Sequence, residues 1–305
     1  MTSKHLTVIG AGAWGKTLAQ LAADQGHRVK LWSRSDGEPL AEAIAGADIL
    51  VSAVSMKGVR AIADQVRACG PSPSTILVSA TKGLEPETAL TPTQIWQDRL
   101  PNNPIVVLSG PNLSKEIQQK LPTASVVASR DPQAAEIVQE AFSSALFRVY
   151  TSGDPLGVEL GGTLKNVMAI AAGVCDGLNL GTNAKAALMT RSLAEIIRIG
   201  THWGASAATF YGLSGLGDLL ATSSSPLSRN YQIGYGLAQG KSLAEILTHL
   251  EGTAEGINTT QVMVQRADRY QISVPVTRQI DCLLRGETTP QRALSALMQR
   301  DTKSE

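Results

Sequence analysis

Short apolar runs alternate with alanine-rich amphipathic stretches over the first half of the chain, from residue 6 to about residue 150. Runs rich in β-branched residues predict buried strands, and apolar residues spaced three and four apart predict helices. The predicted strands cover residues 6–9, 29–32, 48–54, 75–79, 105–109 and 124–128, with 147–151 as a candidate edge strand. Helices such as 15–25 and 132–142 lie between them. This alternation is typical of a parallel α/β sheet.

The pattern changes after Asp154, where strand-like runs end. Helices are predicted over residues 159–175, 184–202, 229–238, 242–249 and 259–266, and Ser242 with Glu245 has the spacing of a capping box. We therefore predict two domains, an α/β Rossmann-type dinucleotide-binding domain over residues 1–152 and an all-α domain over residues 153–305.

The amino-acid composition argues against several classes of binding partner. The chain has 27 Lys and Arg against 26 Asp and Glu, a net charge of +1, and only 4% aromatic residues, which argues against a nucleic-acid-binding surface. Its three cysteines are widely spaced, so neither a disulfide framework nor a zinc site is indicated, and no metal is required. The absence of a signal peptide or an apolar run long enough for a membrane span predicts a cytoplasmic protein. A homodimer through the helical half is an option that the sequence leaves open.

A glycine-rich loop, GAGAWG at residues 10–15, stands directly between the first predicted strand and the first predicted helix. In that context Gly10, Gly12 and Gly15 allow a tight turn, close approach of a pyrophosphate and close helix packing, and the phosphates lie at the helix N-terminus. The alternative is a simple glycine turn. Trp14 is expected either over the cofactor or packed against the protein.

The end of the second strand bears on the choice of cofactor. NAD-selective enzymes usually place an acidic residue there, whereas this chain has Ser33 and Arg34. Since a guanidinium can bind a 2′-phosphate bidentately, Arg34 favours NADPH over NADH. The alternative is a solvated loop charge.

Polar residues follow three of the predicted strands, where ligands of doubly wound sheets bind. They lie at residues 55–57, 81–83 and 110–112, and Lys82 stands between a threonine and a glycine. Lys82 is a candidate ligand-binding lysine, although exposed loop lysines are common.

The helical half contains a lysine in unusual surroundings. Lys165 lies four and three residues after Gly161 and Gly162, so all three share one helix face, and each glycine costs up to about 1 kcal/mol relative to alanine. A lysine with such room and apolar neighbours would be partly desolvated, which suits it to proton transfer. The alternative is close helix packing, with Lys165 reaching out to water.

A second candidate site lies at residues 215–230. Ser225 with Pro226 is typical of a helix start and would place Arg229 in the first turn. A cation there opposes the helix dipole unless it clamps a bound phosphate, with Ser228 and Asn230 as further donors. Asp218, on a glycine turn just upstream, could accept from a substrate hydroxyl.

Taken in order, these segments resemble the bacterial NAD(P)-dependent glycerol-3-phosphate dehydrogenases over nearly the whole chain. The most specific are GAGAWG at 10–15, TKG at 81–83, SGP at 109–111, ELGGTLKN at 159–166, NAKAAL at 183–188, GLGD at 215–218 and SPLSRN at 225–230. The family fold has a dinucleotide-binding domain and a helical domain, with the active site in the cleft between them.

The resemblance implies a role for each matching residue. Lys165 would donate a proton during reduction of dihydroxyacetone phosphate and accept it during oxidation of glycerol 3-phosphate, and Lys82 would contact both substrate and cofactor. The other substrate-binding residues would be Gly110, Asp218, Ser228, Arg229 and Asn230. The cofactor side would include Trp14, Arg34, Ser114 and Glu255, with Arg229 shared. The product would supply phospholipid synthesis.

Two segments depart from the family pattern. The stretch between Arg34 and Asp48 is shorter than usual, and the family's Gly-Pro-Ser-Phe-Ala reads Gly-Pro-Asn-Leu-Ser at residues 110–114. Asn112 can still hydrogen-bond a substrate.

Two rival functions remain at this point. One is another two-domain reductase, acting on a hydroxy acid such as 3-hydroxyisobutyrate or on ketopantoate, which would not need Arg229 at a helix start. The other is a cofactor-binding regulator without catalysis, which would not need Lys165 on a glycine-lined face.

Overall fold

The computed structural model describes residues 2–35, 37–250 and 252–301. The strands of the first half are β1 (His5–Ile9), β2 (Arg28–Trp32), β3 (Ile49–Ser52), β4 (Ile76–Ser79), β5 (Ile105–Ser109), β6 (Thr123–Ser129) and β7 (Phe147–Ser152). The helices between them are α1 (Ala13–Asp24), α2 (Leu40–Ile44), α3 (Met56–Cys69), α4 (Pro92–Arg99), α5 (Ser114–Gln118) and α6 (Pro132–Phe142). All the predicted strands are therefore confirmed, to within a few residues at their ends.

The strands form one sheet in the order β2-β1-β3-β4-β5-β6-β7. The prediction of a parallel sheet holds from β2 to β5, but it is wrong for β6, which pairs antiparallel with β5. The reason is the connection over residues 110–122, whose one helix, α5, has five residues and makes no crossover, so the chain returns beside β5 in the opposite direction. After α6 the chain adds β7 parallel to β6, at the predicted edge position.

Both faces of the sheet are covered by helices. Val51 and Val78 pack on one face with Leu18 of α1 and Phe142 of α6. The opposite face carries Leu50 and Leu77, which pack with residues of α3 and α4 such as Val59 and Trp96. Because neither face meets water, the strands are continuous apolar runs rather than alternating ones.

The shortened stretch after β2 folds as α2. Glu38, just before α2, is held against β2 by two contacts. The indole N–H of Trp32 donates to the carbonyl oxygen of Glu38 at 2.9 Å, and Lys30 pairs with the Glu38 carboxylate. The short stretch between Arg34 and Asp48 therefore forms a compact connection between β2 and β3.

The second half is helical, as predicted. Its elements are α7 (Pro155–Gly177), α8 (Gly181–His202), a 3-10 turn (Ala207–Tyr211), a π-helical turn (Leu213–Gly217), α9 (Asp218–Ser224), α10 (Arg229–Ala238), α11 (Leu243–His249), α12 (Gly256–Tyr270), α13 (Pro275–Leu284) and α14 (Pro290–Met298). The predicted helix 229–238 is confirmed residue for residue, and Ser242 caps α11 by accepting from the backbone N–H of Glu245. The prediction of 259–266 was too short, since α12 begins at Gly256 and ends at Tyr270.

The chain divides into two compact units. The sheet unit ends at Gly162 and also takes in Ala208–Asp218, whereas the helical unit comprises Thr163–Ala207 and the chain from Leu219 onward. The change from strands to helices lies between Ser152 and Pro155, as predicted, but the first residues of α7 belong to the sheet unit. In the described ranges one helix, α7, has the length and apolar character of a membrane span, and its apolar stretch is entirely buried in the protein.

Candidate active site

The glycine loop connects β1 to α1, and its three glycines serve different needs. Gly10 has a φ of +113°, and a Cβ there would lie 2.8 Å from the carbonyl oxygen of Ala53. A Cβ on Gly15 would overlap the carbonyl oxygen of Gly10. Gly12 is the N-cap residue of α1, and a Cβ on it would meet nothing within 4 Å. The protein's own packing thus needs Gly10 and Gly15, while Gly12 leaves open space at a helix N-terminus, which fits a dinucleotide pyrophosphate.

Two further cofactor candidates lie near this loop in the sheet unit. Trp14 is half-buried, packs against the core and donates its indole N–H to the carbonyl oxygen of Ala80 at 3.2 Å. Trp14 therefore has a packing role, and its place over the cofactor stays a prediction. Arg34 is exposed in the turn after β2, beside a hydrogen bond between Ser33 and Ser35.

Lys82 is the centre of a polar cluster at the carboxyl ends of β4 and β5. Its Nζ atom lies 2.5 Å from Oδ2 of Asp218 and 3.1 Å from the carbonyl oxygen of Gly110. Asp218 is 2% exposed. Gly110 has a φ of +143°, and a Cβ there would lie 3.1 Å from the Cα of Ser125. Three residues predicted separately to bind substrate are thus brought together within the sheet unit.

The two glycines at the start of α7 make room for other elements. A Cβ on Gly161 would lie 2.9 Å from the carbonyl oxygen of Ser214, and one on Gly162 would overlap Oγ of Ser109 and lie 3.2 Å from Cε of Lys82. The expectation that they make room beside Lys165 is wrong. Close packing explains them, because the segment before Asp218 and the Lys82 side chain approach the helix here.

Lys165 is buried in α7, with 5% of its surface exposed. Its ammonium group donates to the hydroxyl of Thr222 in α9. The predicted desolvation is thus confirmed, and the alternative in which the side chain reaches out to water is wrong. Thr222 was not among the predicted site residues, although it lies four residues after Asp218, a helical spacing that could have identified it.

The N-cap residue of α10 differs from the predicted one. Ser228, and not Ser225, is the N-cap residue, and its Oγ accepts from the backbone N–H of Tyr231 at 3.3 Å. Ser225 instead closes a turn, since its Oγ accepts from the N–H of Leu227 and its carbonyl oxygen accepts from the N–H of Ser228. Pro226 therefore lies in this turn, and Arg229 is the first residue of the helix.

The Arg229 side chain lies close in space to the loop that precedes α12. The Arg229 side chain is exposed, and its Nη1 atom would be 2.7 Å from a Cβ on Gly252. Asn230 is buried and accepts through Oδ1 from the N–H of Gly256 at 3.1 Å. Because Oδ1 of Asn230 already accepts this bond, the predicted donation from Asn230 to a substrate phosphate would come from its amide NH₂ group. Glu255 lies half-buried at the start of α12.

Asn112 and Ser114, after β5, are two of the three residues at which the segment 110–114 departs from the family pattern. Asn112 donates through Nδ2 to Oγ of Ser125 at 3.1 Å, and its Oδ1 is buried with no hydrogen-bond partner in the part of the chain that the structure describes. An acceptor of this kind suits a substrate hydroxyl. Ser114 is half-buried as the first residue of α5. Across the described ranges no three His, Cys, Asp or Glu residues are grouped to hold a metal ion.

Two family models match the chain. The model described as NAD-dependent glycerol-3-phosphate dehydrogenase N-terminus matches residues 5–39 and 37–135, and the corresponding C-terminus model matches residues 154–295.

Several known proteins are similar over the full chain. Glycerol-3-phosphate dehydrogenase [NAD(P)+] from Trichormus variabilis is 64% identical over 305 residues, covering 100% of this chain and 99% of the relative, and that from Synechocystis is 59% identical, covering 100% and 96%. Among solved structures, glycerol-3-phosphate dehydrogenase from Coxiella burnetii superimposes with a TM-score of 0.92 at 30% identity, covering 98% of this chain and 99% of that one. The Plasmodium falciparum enzyme shares the fold, with a TM-score of 0.89 at 18% identity, covering 99% and 97%.

Proposed function

The chain belongs to the NAD-dependent glycerol-3-phosphate dehydrogenase family, and from that premise we propose how its residues interconvert dihydroxyacetone phosphate and sn-glycerol 3-phosphate with NAD(P)H. The observation that carries the proposal is Lys165, a lysine with 5% of its surface exposed whose ammonium group is held by the hydroxyl of Thr222. A buried, oriented ammonium group is suited to give a proton to a reacting oxygen. The product supplies glycerophospholipid synthesis.

Lys165 acts as the general acid of the reduction. When bound, NAD(P)H supplies the hydride that adds to C2 of dihydroxyacetone phosphate. As negative charge develops on the C2 oxygen, Lys165 donates a proton to it, and in the oxidation the neutral amine takes that proton back. The ammonium group of Lys82 stabilises the same developing charge, and Asp218 and the carbonyl oxygen of Gly110 orient it.

The phosphate group of the substrate binds at the start of α10. Arg229 is exposed at the first position of that helix, where the backbone N–H groups have no partner within the helix. A guanidinium there can bind a phosphate bidentately, and Ser228 and Asn230 add polar contacts. Gly110, Asn112 and Asp218 are assigned to the remainder of the substrate.

Replacing Arg229 with alanine should lower kcat/KM for dihydroxyacetone phosphate about a hundredfold, mainly through KM, because truncating a charged partner costs about 2–5 kcal/mol. Activity with unphosphorylated dihydroxyacetone, already low in the wild type, should change less than about threefold, since that compound never used the clamp. The assay follows NADPH absorbance with both compounds, together with a panel of hydroxy acids.

The matched control for Arg229 is Arg278→Ala, an exposed arginine of the helical unit that is paired with Asp268. It should leave both activities unchanged. Equal losses with the two dihydroxyacetone compounds would refute the phosphate clamp, and turnover of hydroxy acids in preference to dihydroxyacetone phosphate would refute the proposed substrate.

The proposed cofactor-binding residues fall into two groups, those that contact either dinucleotide and the one that selects NADPH over NADH. Gly10, Gly12 and Gly15 are assigned to the pyrophosphate, and the remaining cofactor contacts are assigned to Trp14, Arg34, Lys82, Ser114, Arg229 and Glu255. We propose that Arg34 makes the protein prefer NADPH, because its exposed guanidinium follows β2 where NAD-selective folds carry a carboxylate.

Replacing Arg34 with alanine should raise KM for NADPH about tenfold and change KM for NADH less than about twofold, since only the former has the 2′-phosphate. Initial rates with each cofactor at saturating dihydroxyacetone phosphate measure this. Arg28→Ala, an exposed arginine at the other end of β2, is the control. A parallel rise for both cofactors would contradict the assignment.

Three broader proposals accompany these. The domain boundary at 152/153 is supported by the N-terminal and C-terminal family models, which end at residue 135 and begin at residue 154. A cytoplasmic location is supported by the free state of Cys69, Cys175 and Cys282. Formation of a homodimer through the helical half is the third proposal.

A further inference from the structure

We propose that Glu159 is a positioning residue for the reaction, because its carboxylate fixes the start of α4 against the turn of α7 that contacts Lys82. The proposal rests on the role assigned above to Lys82. It concerns contacts within the sheet unit alone.

The carboxylate of Glu159 binds the N-terminus of α4. Glu159 is 1% exposed, and its Oε1 atom accepts from the backbone N–H of Thr93 at 2.9 Å, while Oε2 accepts from the hydroxyl of the same residue. Thr93 is the second residue of α4, where backbone N–H groups lack partners within the helix and the helix dipole favours a negative charge. Glu159 therefore ties α7 to the first turn of α4.

A short, closed loop connects this anchor to Lys82. Within residues 83–91, the N–H of Glu85 donates to the carbonyl oxygen of Leu90 at 2.9 Å, and the N–H of Ala89 donates to that of Glu85 at 2.8 Å. Leu84 is fully buried. These hydrogen bonds and the buried Leu84 connect the start of α4 to the backbone of Lys82 through a short, internally bonded loop.

The same turn of α7 contacts the Lys82 cluster directly. Gly162 lies one helical turn after Glu159, and a Cβ on it would be only 3.2 Å from Cε of Lys82. Gly161 packs equally closely against Ser214, four residues before Asp218. Glu159 thus fixes a helix turn that contacts Lys82 and the segment leading to its partner Asp218.

The strength of this anchor depends on ionisation. Burial raises the pKa of Glu159 to about 7, although hydrogen bonds from Thr91 and Thr93 lower it. The ionised carboxylate accepts two charge-assisted bonds from Thr93. In the protonated form one oxygen becomes a donor, so the bond with the Thr93 hydroxyl reverses its direction and both bonds lose the strength that the negative charge gave them. The anchor is therefore complete above pH 7 and weakened below it.

Protonation of Glu159 weakens the anchor but stabilises the folded chain. Because the folded pKa exceeds the unfolded one, the folded chain retains a proton that the unfolded chain releases between about pH 4.5 and 7, and stability falls as pH rises through this range. The raised pKa results from burial of the carboxyl group, which outweighs the hydrogen bonds from Thr91 and Thr93. Ion pairs on the elements packed there include Lys82 with Asp218, Arg60 with Glu85 and Arg99 with Asp64.

The test uses two variants and one matched control. Glu159→Gln keeps the shape but cannot ionise, and Thr93→Val removes one donor to the carboxylate. The control is Glu195→Gln, since Glu195 is also 1% exposed, accepts from the backbone N–H groups of Val276 and Thr277 at the start of α13, and has a pKa raised by burial. For each protein, kcat and KM for dihydroxyacetone phosphate are measured with NADPH from pH 5.5 to 9, with thermal melting alongside.

Wild-type kcat should be about tenfold lower at pH 6 than at pH 8, as titration of one group near pH 7 requires. Glu159→Gln should lower kcat at pH 8 more than about tenfold, since it mimics the protonated form, and bring the ratio between the two pH values to within about twofold of unity. Thr93→Val should move the midpoint to higher pH, and Glu195→Gln should retain the wild-type profile.

An unchanged acid limb in Glu159→Gln, or its loss in Glu195→Gln as well, would overturn the inference. If Glu159→Gln does not fold, Thr93→Val decides, because an unmoved midpoint has the same meaning. A wild-type protein inactive with dihydroxyacetone phosphate would instead refute the proposed function, so the two failures are distinguishable.

Discussion

Replacement of Lys165 with methionine should lower kcat for reduction of dihydroxyacetone phosphate by about 10²- to 10⁴-fold, the usual contribution of a positioned general acid. Methionine has a similar length and no charge, so it can fill the buried site around Lys165, which is 5% exposed, without introducing a new charge there. The folded protein should therefore persist while the proton donor is lost. Initial rates and melting temperature measure the two effects separately.

The control is Lys241→Met, an exposed lysine of the helical unit in the connection between α10 and α11. It should leave kcat within about twofold of the wild type, since a surface charge far from any assigned role contributes little. A Lys165→Met protein that retains a near-normal kcat would exclude Lys165 as the proton donor.

Replacement of Lys82 with methionine should lower kcat/KM for dihydroxyacetone phosphate by about 10²- to 10³-fold, because the developing charge on oxygen loses a cation and removal of one such donor typically has this effect. It should also destabilise the sheet unit. Asp218 is 2% exposed and would lose the ion pair that Lys82 makes with it at 2.5 Å, and removal of one partner of a buried ion pair is costly.

A double replacement separates these two consequences. In Lys82→Met combined with Asp218→Asn, the charge on both sides is removed, so melting temperature should recover at least half of the loss seen in Lys82→Met while kcat/KM remains low. Recovery of activity together with stability would mean that Lys82 acts only on folding. An unchanged melting temperature in both variants would contradict the structural coupling of the pair.

Local signals in the sequence were sufficient for most of the fold. Runs of β-branched residues located every strand of the sheet, and the spacing of apolar residues located α6 and α10 residue for residue. These signals succeed because each depends on neighbours within a few residues. The glycine loop at residues 10–15 was recognisable for the same reason, since its conformation is set by its own backbone.

The predictions that failed required knowledge of distant chain segments. The direction of β6 depended on how residues 110–122 return to β5, and the need for Gly161 and Gly162 came from Ser214, Ser109 and Lys82. The cap of α10 was misplaced by three residues because Ser225 and Ser228 are equally good cap residues in isolation. In each case the outcome depended on contacts with residues distant in the sequence or on a choice between two residues that the local pattern does not distinguish.

The same division applies to the candidate site. The sequence by itself determined which residue types are present at strand ends and helix starts, and the resemblance assigned roles to Lys82, Lys165, Asp218 and Arg229. Only the tertiary structure paired Lys82 with Asp218, 136 positions apart, and Lys165 with Thr222, 57 positions apart. It also showed that Glu159 is buried on the N-terminus of α4, a contact for which the sequence carries no local signal. Local conformation is encoded by neighbouring residues, whereas burial, ion pairing and the resulting protonation states depend on segments that meet only when the chain folds.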